Sequence, residues 1–184
     1  MIISDHVESK ALCQYFFVEG VIDVDSTYFI NKIKEGIERE DNNNFKTNVR
    51  DKITSYKYFN SDKKFISIIK KLSKYVDDTY TRPYDLNLYG LITSWGYCLR
   101  TNHKTRFHDH APFIWSGVIY LNSHSQCLEF PAINKKIKPE KGKFVLFSSF
   151  LKHGTKRNES EETKWGLSFN MAPVNIINIE KDKL

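Results

Sequence analysis

With 184 residues, 40% of them hydrophobic and 14% aromatic, the chain can bury a core of its own, so one domain spanning 1–184 is expected. A charged fraction of 27% and the lack of any apolar run near the roughly 20 residues of a membrane helix exclude a helical transmembrane protein. Three cysteines without paired spacing, Cys13, Cys98 and Cys127, exclude a disulfide scaffold and point to reduced thiols. The opening MIISDHVESK lacks the pattern of a secretory signal, so a cytoplasmic location is expected. The formal charge of +6 owes part of its excess to Lys135, Lys136, Lys138, Lys141 and Lys143. Such a stretch could attract nucleic acid or another anion, although a solvated basic face is the plainer reading.

In chain order, Asp25 and Ser26 are candidate caps for a helix with Phe29, Ile30, Ile33 and Ile37 on one stripe, ending in a polar loop at 38–44. Ser61 or Asp62 could cap a second helix carrying Phe65, Ile68, Ile69, Leu72, Tyr75 and Val76. After Pro83 the texture turns to short β-prone runs at 86–91, 93–100, 115–121, 127–130, 143–147 and 165–171, separated by polar turns. Many short strands at that spacing predict a sandwich or barrel. The expected plan is mainly β: residues 1–83 form a helical support packed on the sheet, and residues 84–180 form the β core that carries the chemistry.

The chemistry rests on histidine. In His108-Asp109-His110 an extended backbone puts both imidazoles on one face, because side chains alternate along a strand, and Asp109 on the other. The apolar run 144–147 leads through 148–152 to His153. In a jelly roll, strands distant in sequence lie side by side, so His153 could complete a facial set of three ligands. Three ligands on one face leave coordination positions open, as non-haem Fe(II) enzymes require. No G-x-S-x-G, C-x-x-C or Gly-rich phosphate loop points to hydrolase, redox-dithiol or NTPase chemistry.

Residues 95–170 resemble a subgroup of 2-oxoglutarate–Fe(II) oxygenases whose signature runs Trp, H-x-H, S-G-V-x-Y-L, G-x-L-x-F-x-D-P, P-x-x-G-x-x-x-x-F, S-x-L-x-H and S-F-N. The chain supplies Trp95, His108-Asp109-His110 and Ser116-Gly117-Val118-Ile119-Tyr120-Leu121. It continues with Leu128-Glu129-Phe130-Pro131, Pro139 to Gly142, Phe147, Ser149-Phe150-Leu151-Lys152-His153 and Ser168-Phe169-Asn170. The chain departs from the signature at the glycine before L-x-F, where Gln126 or Cys127 stands, and its residue after the distal histidine is Lys164 rather than Arg. His110 stands where the wider superfamily has a carboxylate.

The resemblance implies a double-stranded β-helix, or jelly roll, that binds Fe(II) through His108, His110 and His153 and uses 2-oxoglutarate and O2, with no catalytic residue beyond the metal centre. It implies that Lys164 meets the distal carboxylate of 2-oxoglutarate and that Tyr120 donates to the same group. Tyr97 and Asn170 are candidates for lining the cosubstrate pocket. The implied reaction hydroxylates or demethylates a substrate with release of succinate and CO2. A protein side chain, a nucleobase and a small metabolite all remain candidates, with residues 102–107 and 131–138 expected to border the site. Two other readings stay open. A cupin-type three-histidine dioxygenase would not bind 2-oxoglutarate, and a non-catalytic barrel for nucleic acid or protein would hold no metal.

Overall fold

The computed structural model describes residues 15–39, 47–79 and 89–173. Cys13, positions 86–88 of the first predicted strand and most of the polar loop at 38–44 lie outside them, as do the side chains of Tyr75 and Val76.

Both predicted helices form, each capped by an aspartate. In α1 (Ser26–Arg39) the Asp25 carboxylate accepts from the Tyr28 N–H at 3.1 Å. In α2 (Lys63–Thr79) the Asp62 carboxylate accepts from the Phe65 N–H at 2.8 Å, so Asp62 rather than Ser61 is the cap. These oxygens satisfy N–H groups that a helix start leaves without an intrahelical partner. The Tyr28 hydroxyl donates to the second oxygen of Asp62 at 2.6 Å and ties the two helix starts together.

Eight strands follow in chain order: β1 (Phe17–Val21), β2 (Lys52–Ile53), β3 (Tyr89–Leu99), β4 (Trp115–Tyr120), β5 (Leu128–Phe130), β6 (Lys135–Ile137), β7 (Lys143–Ser148) and β8 (Lys164–Pro173). The large sheet is antiparallel in the order β1-β7-β4-β8-β3-β2. The first 83 residues, expected as helical support, therefore also give the sheet both its edge strands. The two runs predicted at 86–91 and 93–100 are one strand with a register shift between Leu91 and Thr93. The turn before β7 needs Gly142, whose φ of +80° disfavours other residues and where a Cβ would meet the Ile22 carbonyl oxygen at 2.5 Å.

Period-two alternation gives the large sheet two different faces. Trp115, Ile119, Phe144, Leu146, Leu167, Phe169 and Met171 pack with Phe29, Ile33, Phe65 and Leu72 of the helices. Trp95, Tyr97, Leu99, Val118, Tyr120, Val145 and Phe147 turn the other way, toward Val49, Leu128, Phe130, Ile137 and Leu151. That second layer consists of the hairpin β5-β6 and shorter extended segments joined by the bridges Val49–Thr105, His108–His153 and Glu129–Gly154. The result is mainly β, a two-layered jelly roll with the helices on its outer face.

At Gly96 a Cβ would fall 2.2 Å from Ile33 Cγ1, so helix α1 lies directly on the bare backbone there. Gly96→Ala is expected to destabilise the fold by about 1–3 kcal/mol through overpacking. A lowered urea midpoint with an unchanged denaturant slope checks this.

Candidate metal centre

The H-x-H segment is extended but is not part of a regular strand. It pairs with the stretch after β7: the His108 N–H donates to the His153 carbonyl at 3.0 Å and the His153 N–H returns to the His108 carbonyl at 2.8 Å. Residues that exchange both hydrogen bonds stand directly opposite and show their side chains to the same face. His110, two positions on, shares that face and is pinned by its N–H to the Ser149 carbonyl at 2.8 Å. Ligand nitrogens of His108, His110 and His153 consequently all lie within 4.8 Å of one another. Ring rotation can close that span to the roughly 3 Å expected of nitrogens each about 2.1 Å from one ion. Asp109 is exposed, accepts from the Ala111 N–H at 3.2 Å and takes no part in the cluster.

The local hydrogen bonds prepare the rings as ligands. Nδ1 of His108 lies 2.7 Å from the Arg106 carbonyl oxygen, and Nδ1 of His153 lies 2.8 Å from that of Leu151. A carbonyl can only accept, so Nδ1 carries the hydrogen and Nε2 keeps its lone pair for a metal. Burial lowers the pKa of all three rings, to about 3 for His110 and His153, with repulsion within the cluster adding to the shift there. The imidazoles are thus neutral near pH 7. Aromatic walls hold them: Phe147 and Phe130 flank His153 at centroid distances of 4.7 and 5.5 Å, and Trp95 lies 6.0 Å from His110.

Behind the histidines, between the layers, lies a narrow cavity of about 50 Å³ lined among others by Tyr97, Val118, Tyr120, Lys164 and Ser168. Alternation along β8 sends Trp165, Leu167 and Phe169 to the helix side and leaves Lys164 facing this cavity. Lys164 is 1% exposed, its ammonium donates to the Gln126 carbonyl oxygen at 3.1 Å, and burial lowers its pKa to about 7. No carboxylate pairs with it among the described residues. The Tyr120 hydroxyl is buried without a hydrogen-bond partner among the described residues, and the Lys164 Nζ lies 5.9 Å from its ring centroid. Tyr97 lines the same cavity opposite Gly166, where a Cβ would meet its hydroxyl at 2.4 Å. The cavity therefore offers a buried amine, which a bound anion would hold in its charged form, and an unsatisfied hydroxyl.

Asn170, expected to line the cosubstrate pocket, borders an outer cleft of about 340 Å³ together with His108, His110, Trp95 and Tyr56 rather than the inner cavity. It shares the Lys164 face of β8 but lies six residues along, about 20 Å at about 3.3 Å per residue. There it accepts from the Ser116 hydroxyl at 2.6 Å and donates to that of Thr93 at 3.0 Å. The segment 131–138 lines neither space, since it folds into a short 3-10 turn and β6. Of the segment 102–107, Thr105 lines the inner cavity. Phe130 and Phe147, within the L-x-F and P-x-x-G-x-x-x-x-F motifs respectively, pack against His153, a contact that motif spacing alone does not signal.

No protein-family model matches the sequence, and no curated protein matches it either. Solved structures do match in shape. A viral collagen prolyl hydroxylase from Paramecium Bursaria Chlorella virus-1, in complex with 2-oxoglutarate, superposes with a TM-score of 0.62 at 15% identity over 85% of this chain and 94% of that one. A prolyl hydroxylase from Trichoplax adhaerens, bound to a peptide of hypoxia inducible factor, gives 0.56 at 17% identity over 88% and 84%. HygX from Streptomyces hygroscopicus, with nickel and 2-oxoglutarate bound, gives 0.54 at 13% identity over 86% and 82%. The chain has the double-stranded β-helix fold that these proteins share.

Proposed function

We propose that the chain is an Fe(II)- and 2-oxoglutarate-dependent dioxygenase that hydroxylates or demethylates its substrate. The observation that carries this reading is one cavity with two chemically opposite ends. Three neutral imidazoles stand at its mouth, and a buried lysine with an unpartnered tyrosine hydroxyl stands inside. His108 and His153 would hold the ion through Nε2 and His110 through one ring nitrogen, all on one face, leaving its other positions free. Lys164 would neutralise the distal carboxylate of 2-oxoglutarate as a point charge, and Tyr120 would donate a second hydrogen bond to it. Together the ion and 2-oxoglutarate supply the oxidising chemistry, with O2 consumed and succinate and CO2 released.

The residues themselves position and exclude. With no carboxylate among them, the three imidazoles leave a divalent ion its whole charge, which a dianionic chelator then balances. Phe130, Phe147 and Trp95 keep the rings from turning away and limit the water around them. Tyr97 closes the wall beside Tyr120. A cupin-type dioxygenase would leave the Lys164 cation and the Tyr120 hydroxyl without a role. The thiols of Cys98 and Cys127 are free, which fits a reducing cytoplasmic setting, and no described helix is long and apolar enough to cross a membrane.

The test is anaerobic loading with Fe(II), addition of 2-oxoglutarate and O2, and measurement of succinate. Slow succinate release without substrate, lost in His108→Ala, is the expected result. Tight Fe(II) binding with no detectable affinity for 2-oxoglutarate overturns the proposal in favour of the cupin-type reading.

A further inference from the structure

The lysine-rich stretch 135–143, the obvious basic feature of the sequence, is largely neutralised in the fold. Lys135 faces Glu19 at 3.2 Å, Lys136 faces Glu129 at 3.6 Å and Lys143 faces Glu140 at 3.3 Å. The uncompensated charge lies elsewhere. Lys104, Arg106, Lys156 and Arg157 line one surface depression of about 380 Å³ that no carboxylate of the described residues borders, although Lys156 and Arg157 also line a neighbouring depression with Glu129 and Glu159. All four are exposed, and none is in an ion pair among the described residues.

These cations are held together by backbone, not by chance side-chain positions. The Thr155 N–H donates to the Thr105 carbonyl at 3.0 Å, the Thr105 N–H to the Thr155 hydroxyl at 2.9 Å, and the Asn158 N–H to the His103 carbonyl at 2.8 Å. Like charges pinned side by side repel one another, and a polyanion laid across them relieves that repulsion. The depression also contains Phe107, which is 40% exposed and stands between Arg106 and the metal-site residue His108. The outer cleft, which His108 borders, presents Tyr56, 41% exposed, with the buried Trp95 and Asn170.

We propose that this depression docks the phosphate backbone of a single-stranded nucleic acid, so that one base reaches the outer cleft beside the histidines. The proposal rests on the oxygenase reading only in making that strand the substrate. Proteins that hold single strands combine a basic groove with exposed aromatic rings on which bases stack, and both features are adjacent here. An acidic peptide would use the four cations but would leave the exposed ring idle. A duplex would first have to release the base from its stack, at a cost that a single strand does not carry.

The test titrates the whole chain, loaded anaerobically with Fe(II) and 2-oxoglutarate, into labelled oligo(dT) and oligo(U) of about 15 nucleotides, within the span that such grooves cover. Contact of four cations with phosphates predicts a slope of log affinity against log salt of about −2.8. Lys156→Glu/Arg157→Glu should weaken binding at least about tenfold and flatten the slope to about −1.4 or less. It should leave the slow succinate release without substrate unchanged. An oligo-glutamate of equal charge that competes as well as the oligonucleotide makes an acidic peptide the partner and overturns the proposal. Binding by the double variant within about twofold of wild type also overturns it. Oligonucleotide binding by a wild-type protein that never turns over 2-oxoglutarate leaves the docking surface standing and defeats the oxygenase reading instead.

Discussion

His153→Ala will bind Fe(II) at least about 100-fold more weakly than the wild type, since altering even an outer partner of a metal-ligating histidine typically costs 10–100-fold. His153 is the ligand delivered by the chain segment farthest in sequence from the other two, and it is 5% exposed between Phe130 and Phe147. Its removal leaves His108 and His110, two neutral donors on one segment, which cannot form a facial set. The bridge to His108 runs through backbone N–H and carbonyl groups, so it survives loss of the side chain. His108→Ala, at a less buried position, should show the same loss and separates ligation from packing. Anaerobic calorimetric titration with Fe(II), beside circular dichroism of both variants, checks the expectation. Near-native affinity in either variant would show that the three rings do not share one ion.

Lys164→Met carries the second large effect, with opposite signs for two properties. Affinity for 2-oxoglutarate should fall about 100-fold or more, since a charged hydrogen-bond partner of a buried carboxylate contributes about 2–5 kcal/mol. The protein without ligand should be more stable at neutral pH, because a thioether of similar shape replaces a buried ammonium whose one hydrogen bond is to a carbonyl. The pH dependence follows from a folded pKa of about 7 against an unfolded value near about 10.4. Between these values the unfolded chain binds the extra proton, so stability rises with pH, by up to about 1.4 kcal/mol per pH unit. Below about 7 both states are charged and the full cost of burial is felt. Cys98, whose pKa burial raises to about 11, acts in the opposite direction above the ordinary thiol range. The difference between wild type and Lys164→Met therefore isolates the lysine. Urea midpoints of both proteins at pH 7 and 9 measure it. Binding of 2-oxoglutarate should restore the ammonium and take up a proton near pH 8, which calorimetry in buffers of unequal ionisation enthalpy detects. No uptake there would show that Lys164 is already charged in the empty cavity.

Much of the local geometry was legible in the sequence. The stripes of Phe29 and Ile33 and of Phe65 and Leu72 identified both helices, because a 3.6-residue period leaves a clear trace. Strands β4, β7 and β8 were equally plain as runs of β-branched and aromatic residues, buried on both faces in the case of β4. Strands β1, β2 and β6 were not foreseen. They are short, they contain Glu19, Gly20 and several lysines, and they are strands only because a neighbouring strand supplies hydrogen-bond partners.

By itself, the sequence determined that His108 and His110 share a face and that Asp109 does not, since alternation along an extended backbone is a property of adjacent residues. Only the tertiary structure decided that Lys164 enters the cavity behind the histidines while Asn170 borders the cleft in front, because distance along a strand has no meaning until other strands define its ends. It likewise decided which lysines keep their charge. Lys135 finds Glu19 from the opposite end of the chain and Lys136 finds Glu129 across its hairpin, whereas Lys104, Arg106, Lys156 and Arg157 share a depression bordered by no carboxylate of the described residues. The gathering of the four cations and the convergence of the histidines both depend on segments remote in sequence meeting through the hydrogen bonds between the 105–110 and 149–155 stretches. No local pattern encodes such a meeting.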